Sequence, residues 1–155
     1  RGRAFGSTSV RLAAVAEAPL AVIPISAGGA RRGVIVGIDD EPSSLAVVRC
    51  GAHEAVAMNS PLTLIHAHLA PETSPISLAL PLLREEFPDL PVRTREVAGV
   101  AGEVLINAGA AAEALFIGRR PSAAGLGPVG YDVLLNISGP TILIPFERET
   151  AGISG

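Results

Sequence analysis

One stretch of this sequence is written twice. Phe5-Gly6 through Pro19-Leu-Ala-Val-Ile-Pro24 returns as Leu126-Gly127 through Pro140-Thr-Ile-Leu-Ile-Pro145, and 127 − 6, 140 − 19 and 145 − 24 all equal 121. Each copy reads as a turn glycine, a short apolar helix, a proline, and an apolar strand closed by a second proline, which is one α/β unit with its punctuation. A period of that size is about one small domain. Residues 1–24 therefore read as the closing unit of a preceding domain, 25–32 as a linker, 33–146 as the complete next copy and 147–155 as a tail. A start without methionine fits a truncated first copy.

With 48% hydrophobic residues over 155 positions, the chain can bury one core of ordinary size. A formal net charge of −3 gives no basic field for nucleic acid or an anionic membrane, so neither is an expected partner. All 12 cationic side chains are arginine. Without lysine there is no Schiff base and no phosphate-loop lysine. Cys50 stands alone, which excludes a disulfide within the chain and implies a reducing, cytoplasmic setting. Arg1 and Arg3 followed by Val10 to Ala16 superficially resemble a secretory signal. Arg11 and Glu17 interrupt that apolar run, and its spacing matches the carboxyl-terminal unit, so the repeat is the better explanation. No stretch approaches the roughly 18 apolar residues of a membrane span.

From residue 33 onward, strand and helix alternate. Gly33 to Ile38 is an apolar run of the kind buried on both faces of a sheet, followed by a capped helix start at Asp40-Glu-Pro42. The helix runs to about Asn59, with Leu45, Val48, Ala52, Ala55 and Val56 on its apolar side. Leu62 to His66 is the second strand, Ile76 to Phe87 a helix interrupted at Pro81, and Val92 to Val97 the third strand. Val100 to Ala112 is a small-residue helix, Ala114 to Ile117 a buried strand, Gly127 to Ile137 a helix, and Thr141 to Ile144 the last strand. Strands separated by helices imply right-handed crossovers and a parallel sheet, an α/β fold.

These residues resemble the universal stress proteins. The resemblance rests on Val36-Gly-Ile-Asp39 with Ser43-Ser44, on Leu62 to His66, on Val100-Ala-Gly-Glu-Val-Leu105, and on Leu115-Phe-Ile-Gly118-Arg119 leading into a glycine loop. It implies a doubly wound five-stranded parallel sheet of order 3-2-1-4-5, often duplicated in tandem and paired through the last strand. Here an extra amino-terminal helix-strand unit would be added. ATP or AMP is the ligand it implies.

In such a sheet a ligand sits beyond the carboxyl ends of the strands where the winding reverses, between the first and fourth strands. The loops there carry Ile38 and Asp39 on one side and Gly118, Arg119, Arg120, Gly127, Val129 and Gly130 on the other. A carboxylate for base or ribose would thus face a helix amino terminus able to hold phosphate. The loop departs from the family's nucleotide pattern at three points. Pro121 stands at its second glycine, the stretch to Gly127 is short, and Pro128 replaces a hydroxyl residue and deletes a backbone donor. Arg119 and Arg120 are the groups that could compensate on phosphate oxygens. The bland alternatives are a solvated arginine pair and, for Asp39, a helix cap.

A receiver domain would also end its first strand in paired carboxylates, as Asp39-Asp40 does, but needs a lysine that this chain lacks. His66 and His68 share one strand face and would need a third ligand to hold a metal. No nucleophile-base order is recognisable, so no catalytic residue is assigned. The strand Thr141, Ile142, Leu143, Ile144 would be an apolar sheet edge, which proteins cover. Its duplicate Leu20, Ala21, Val22, Ile23 is the expected cover, pairing antiparallel within the chain or across a dimer. The sequence thus reads as a regulatory, stress-response type of domain acting through self-association and adenine-nucleotide sensing with an altered loop. The alternative is a genuine ATP- or AMP-binding member with weak or no ATPase activity.

Overall fold

The computed structural model describes residues 7–25, 29–70, 73–119 and 126–146. The element order is α1 (Ser7–Val15), β1 (Leu20–Val22), β2 (Val34–Gly37), α2 (Ser44–Ala57), β3 (Leu62–His68), α3 (Ile76–Glu86), β4 (Val92–Ala98), α4 (Ala101–Gly109), β5 (Ala114–Arg119), α5 (Pro128–Asn136) and β6 (Thr141–Pro145). The six strands form one sheet in the order β1-β6-β5-β2-β3-β4. The five strands from β2 to β6 run parallel and, counted from β2, follow 3-2-1-4-5. The sixth strand is β1, which joins the same sheet antiparallel to β6, with Leu20 opposite Leu143, Ala21 opposite Ile142 and Val22 opposite Thr141. The outer edge of β6 is therefore covered within the chain.

The duplicated unit keeps its spacing to the residue, since 128 − 7, 136 − 15 and 141 − 20 all equal 121. Under that offset Ala21 and Ile142 are equivalent positions, and they face each other. The antiparallel pairing is thus a local two-fold arrangement about that pair, the self-complementary geometry that two like units adopt.

Two apolar cores lie on the two faces of the sheet. Val34, Val36, Leu62, Leu64 and Phe116 meet α2 and α3 on one face, while Ile65, Leu115, Ile117 and Leu143 meet α1, α4 and α5 on the other. The predicted stripe on α2 needs correction. Ser44, Val47, Val48, Gly51, Ala52 and Ala55 are buried, Leu45 is half-buried and Val56 is exposed. The cause is Gly51, where an added Cβ would come within 2.3 Å of a Val36 methyl. A close helix-sheet approach favours the small-residue face over the one with larger side chains.

Helix α2 also stops at Ala57 and not at Asn59, because Asn59 takes a left-handed φ of 51° that ends a helix. Helix α3 is continuous through Pro81, which is exposed, while Ala79 and Leu83 anchor the buried side. Helix α4 is shorter than predicted, Ala101–Gly109, and β3, β4, β5 and β6 each extend beyond their predicted ends. Arg31 clasps the bottom of the sheet, donating Nη1 to the Ala110 carbonyl and Nη2 to the Ser138 carbonyl, both at 2.7 Å. A cation there satisfies the carbonyl ends of α4 and α5 together.

Candidate functional site

The winding reverses between β2 and β5, and a cavity of about 310 Å³ opens beyond their carboxyl ends. Such a crevice is where open α/β sheets bind ligands. Ile38, Asp39, Gly118, Arg119, Gly127, Val129 and Gly130, all anticipated from the sequence, line this one cavity. Arg120, Pro121 and Ser122 lie outside the described residues, as does the loop up to residue 125. The wall is completed by Gly37, Ile65 and Ala67 from β2 and β3, Ala101 and Leu105 from α4, and Ile117, Leu126 and Pro128. Apart from Pro128, these were not singled out as site residues from the sequence. Gly37 was the available signal: a Cβ there would sit 2.8 Å from a Leu105 methyl, so the glycine lets α4 close the floor.

Asp39 is positioned by the turn that enters α2. Its Oδ1 accepts the Glu41 N–H at 3.0 Å and the Ser44 hydroxyl, whose Oγ also accepts the Asp39 N–H at 3.3 Å. The carboxylate therefore braces an Asx-type turn while it lines the cavity, and the two readings of Asp39 are not exclusive. Across the crevice, Gly127 caps α5 with extended backbone and Pro128 occupies the first helical position. Proline suits that position because its missing N–H would have had no partner in the helix. The amides of Val129 and Gly130 follow in the first turn, where helical N–H groups have no intrahelical acceptor. An anion is favoured at such a place.

Arg119 closes β5 and is 7% exposed. Its Nη1 donates to the Ala14 carbonyl in the last turn of α1 at 2.6 Å. Burial lowers its pKa from the ordinary arginine value. It is not a solvated loop residue: it lines the cavity and holds the amino-terminal helix.

His66 and His68 lie outside the cavity, with ring centroids 5.7 Å apart. His66 Nδ1 is 2.8 Å from Glu96 Oε2, and the other Glu96 oxygen accepts the Ser74 hydroxyl. Burial alone would raise the Glu96 pKa, but the hydrogen bonds from Ser74 and His66 outweigh it and lower the value. Among the described residues, no group of three or more His, Cys, Asp or Glu is placed to hold a metal ion. Burial raises the pKa of the Cys50 thiol above its ordinary value. A second cavity, about 440 Å³, lies at the amino ends of the strands between Asn59, Ser60, Phe87 and Asp89. It is the larger of the two, but it sits at the end of the sheet where such folds do not bind ligands. No described helix is long and apolar enough to cross a membrane.

No family model matches the chain. Over 50 residues it is 44% identical to a universal stress protein of Mycobacterium tuberculosis, a match spanning 32% of this chain and 16% of that relative. A universal stress protein structure from Archaeoglobus fulgidus superposes with a TM-score of 0.71 at 16% identity, covering 95% of this chain and 58% of the other. The chain is similar to universal stress proteins over that 50-residue segment and in its fold. Two other universal stress protein structures carry ligands. One, in complex with cAMP, has a TM-score of 0.63 at 20% identity over 77% of this chain and 100% of its own. Another, from Archaeoglobus fulgidus in complex with dAMP, has a TM-score of 0.58 at 20% identity over 75% of this chain and 99% of its own. At these identities the structural likeness is one of fold.

Proposed function

We propose that this protein is a universal-stress-protein-like regulatory domain that senses an adenine mononucleotide in the cavity between β2 and β5. The observation that supports the reading is the joining of a turn-held carboxylate, a helix amino terminus and a buried arginine around about 310 Å³ of space at the winding reversal. That volume lies at the small end of ligand sites. The cAMP and dAMP complexes of structurally similar universal stress proteins point to the same ligand class. Asp39 would take the base or ribose, and the amides of Val129 and Gly130, with Arg119, a single phosphate. Pro128 withholds one donor, which favours a monophosphate over a polyphosphate.

The protein acts by association and not by turnover: among the described residues of the cavity lining, no nucleophile is joined to a general base. The unit α1–β1 repeats α5–β6 at an offset of 121 residues and is read as a second copy of that unit beside the domain over 33–146. With β6 covered, self-association passes to β1 and to the exposed Leu12, Val15, Ile23 and Ile25 around it. Titration calorimetry with AMP and ATP tests the ligand reading. Saturable micromolar binding of AMP, abolished by Asp39→Ala, is expected; no heat, or binding indifferent to that substitution, contradicts it. A mass that stays monomeric in light scattering up to high concentration contradicts self-association.

A further inference from the structure

The cavity and the amino-terminal helix share one cation. Arg119 stands in the cavity wall, and its Nη1 also satisfies the Ala14 carbonyl at the end of α1. A second link is apolar. Ala13 of α1 is fully buried in the same core as Leu105, Ile117 and Leu126, three residues whose other surfaces line the cavity. Resting on the nucleotide reading, we propose that α1 is the output element of the site, and that an anionic ligand and the docked helix compete for Arg119.

The physical basis is the chemistry of the guanidinium. Its donors are fixed in one planar fork, and a phosphate takes two of them in parallel. A fork turned to meet a phosphate in the cavity draws Nη1 from the Ala14 carbonyl. The carboxyl-terminal end of α1 then loses the cation that its unpaired carbonyls favour. Helix α1 spans nine residues, about the length at which a helix in water has little stability of its own, so it depends on its docking contacts. By reciprocity, the docked helix weakens anion binding by the same factor that the anion weakens docking. An uncharged nucleoside fills the cavity without drawing on Arg119 and leaves α1 in place.

Amide hydrogen exchange by NMR reads this directly, with the Ala16 N–H, bonded to the Leu12 carbonyl at 3.0 Å, as a reporter of the last turn. Saturating AMP is expected to speed α1 exchange by about tenfold, the effect of losing one charge-assisted hydrogen bond, while saturating adenosine leaves it unchanged. In Arg119→Gln, α1 should exchange fast without ligand and show no further response to AMP. If that variant fails to fold, the comparison of AMP with adenosine on the natural chain decides alone. AMP that binds without changing α1, or adenosine that acts as AMP does, overturns the coupling. Calorimetry run alongside separates the other failure: if neither compound binds, the nucleotide reading falls first and takes the coupling with it.

Discussion

The units α1–β1 and α5–β6 are one local pattern in two surroundings. Their helices and strands begin at equivalent positions, yet equivalent residues have opposite fates. Ile144 is 6% exposed and its counterpart Ile23 is 63% exposed; Val133 is fully buried and its counterpart Leu12 is 54% exposed. Ala13 and Val22, like their equivalents Leu134 and Leu143, are buried in the core. The carboxyl-terminal unit has β5 beside its strand and α4 beside its helix, whereas the amino-terminal unit has one described sheet neighbour, β6. Local sequence sets where helix and strand begin, but burial belongs to the neighbours.

Truncation at the equivalent isoleucines should show the largest contrast. Ile144→Ala is expected to cost about 3 kcal/mol through a cavity in the core, and Ile23→Ala less than about 0.5 kcal/mol, measured by denaturant unfolding. Equal losses would break the comparison. Arg31→Met should come next, at about 1–3 kcal/mol, because it leaves the Ala110 and Ser138 carbonyls without their shared donor. The equivalent of Ser138 is Glu17, and Glu17→Gln should leave stability within about 0.5 kcal/mol of the parent.

The smallest effect belongs to the opposite edge of the sheet. There β4 carries the exposed charges Arg93, Arg95 and Glu96, a protection against edge pairing unlike the strand cover that β1 gives β6. Glu96 has a lowered folded-state pKa, so its contribution is present above the ordinary carboxylate value of about 4.3 and is lost as pH falls through the folded value. Since Glu96 is largely solvent-exposed, Glu96→Gln should cost less than about 1 kcal/mol at pH 7. The difference from the parent chain should close below about pH 4 in unfolding curves taken across pH.

Much of the fold was legible because its signals are local. The doubled proline-bounded unit gave its helix, its strand and the antiparallel cover of β6, and the apolar runs at Val34, Leu62 and Ala114 gave the central strands. Asp39, Gly118 and Gly127 were legible as lining the cavity because the topological rule fixes which loops flank the reversal. What escaped was long-range. Nothing near Arg119 in sequence reveals a partner 105 residues away in α1. Leu105 enters the cavity wall where Gly37 lets α4 settle closely. The α2 stripe was misjudged for the same reason, as Gly51 draws the small-residue face inward at the expense of Val56.

The central claim is that the crevice between β2 and β5 receives an adenine mononucleotide. Backbone amide NMR during a titration with AMP tests it most directly. The expected result is saturable shifts clustered at Gly37, Asp39, Gly118, Val129 and Gly130, with Asn59, Ser60 and Phe87 at the opposite end of the sheet unmoved. Shifts confined to that opposite end, or a spectrum unchanged at millimolar AMP, would contradict it.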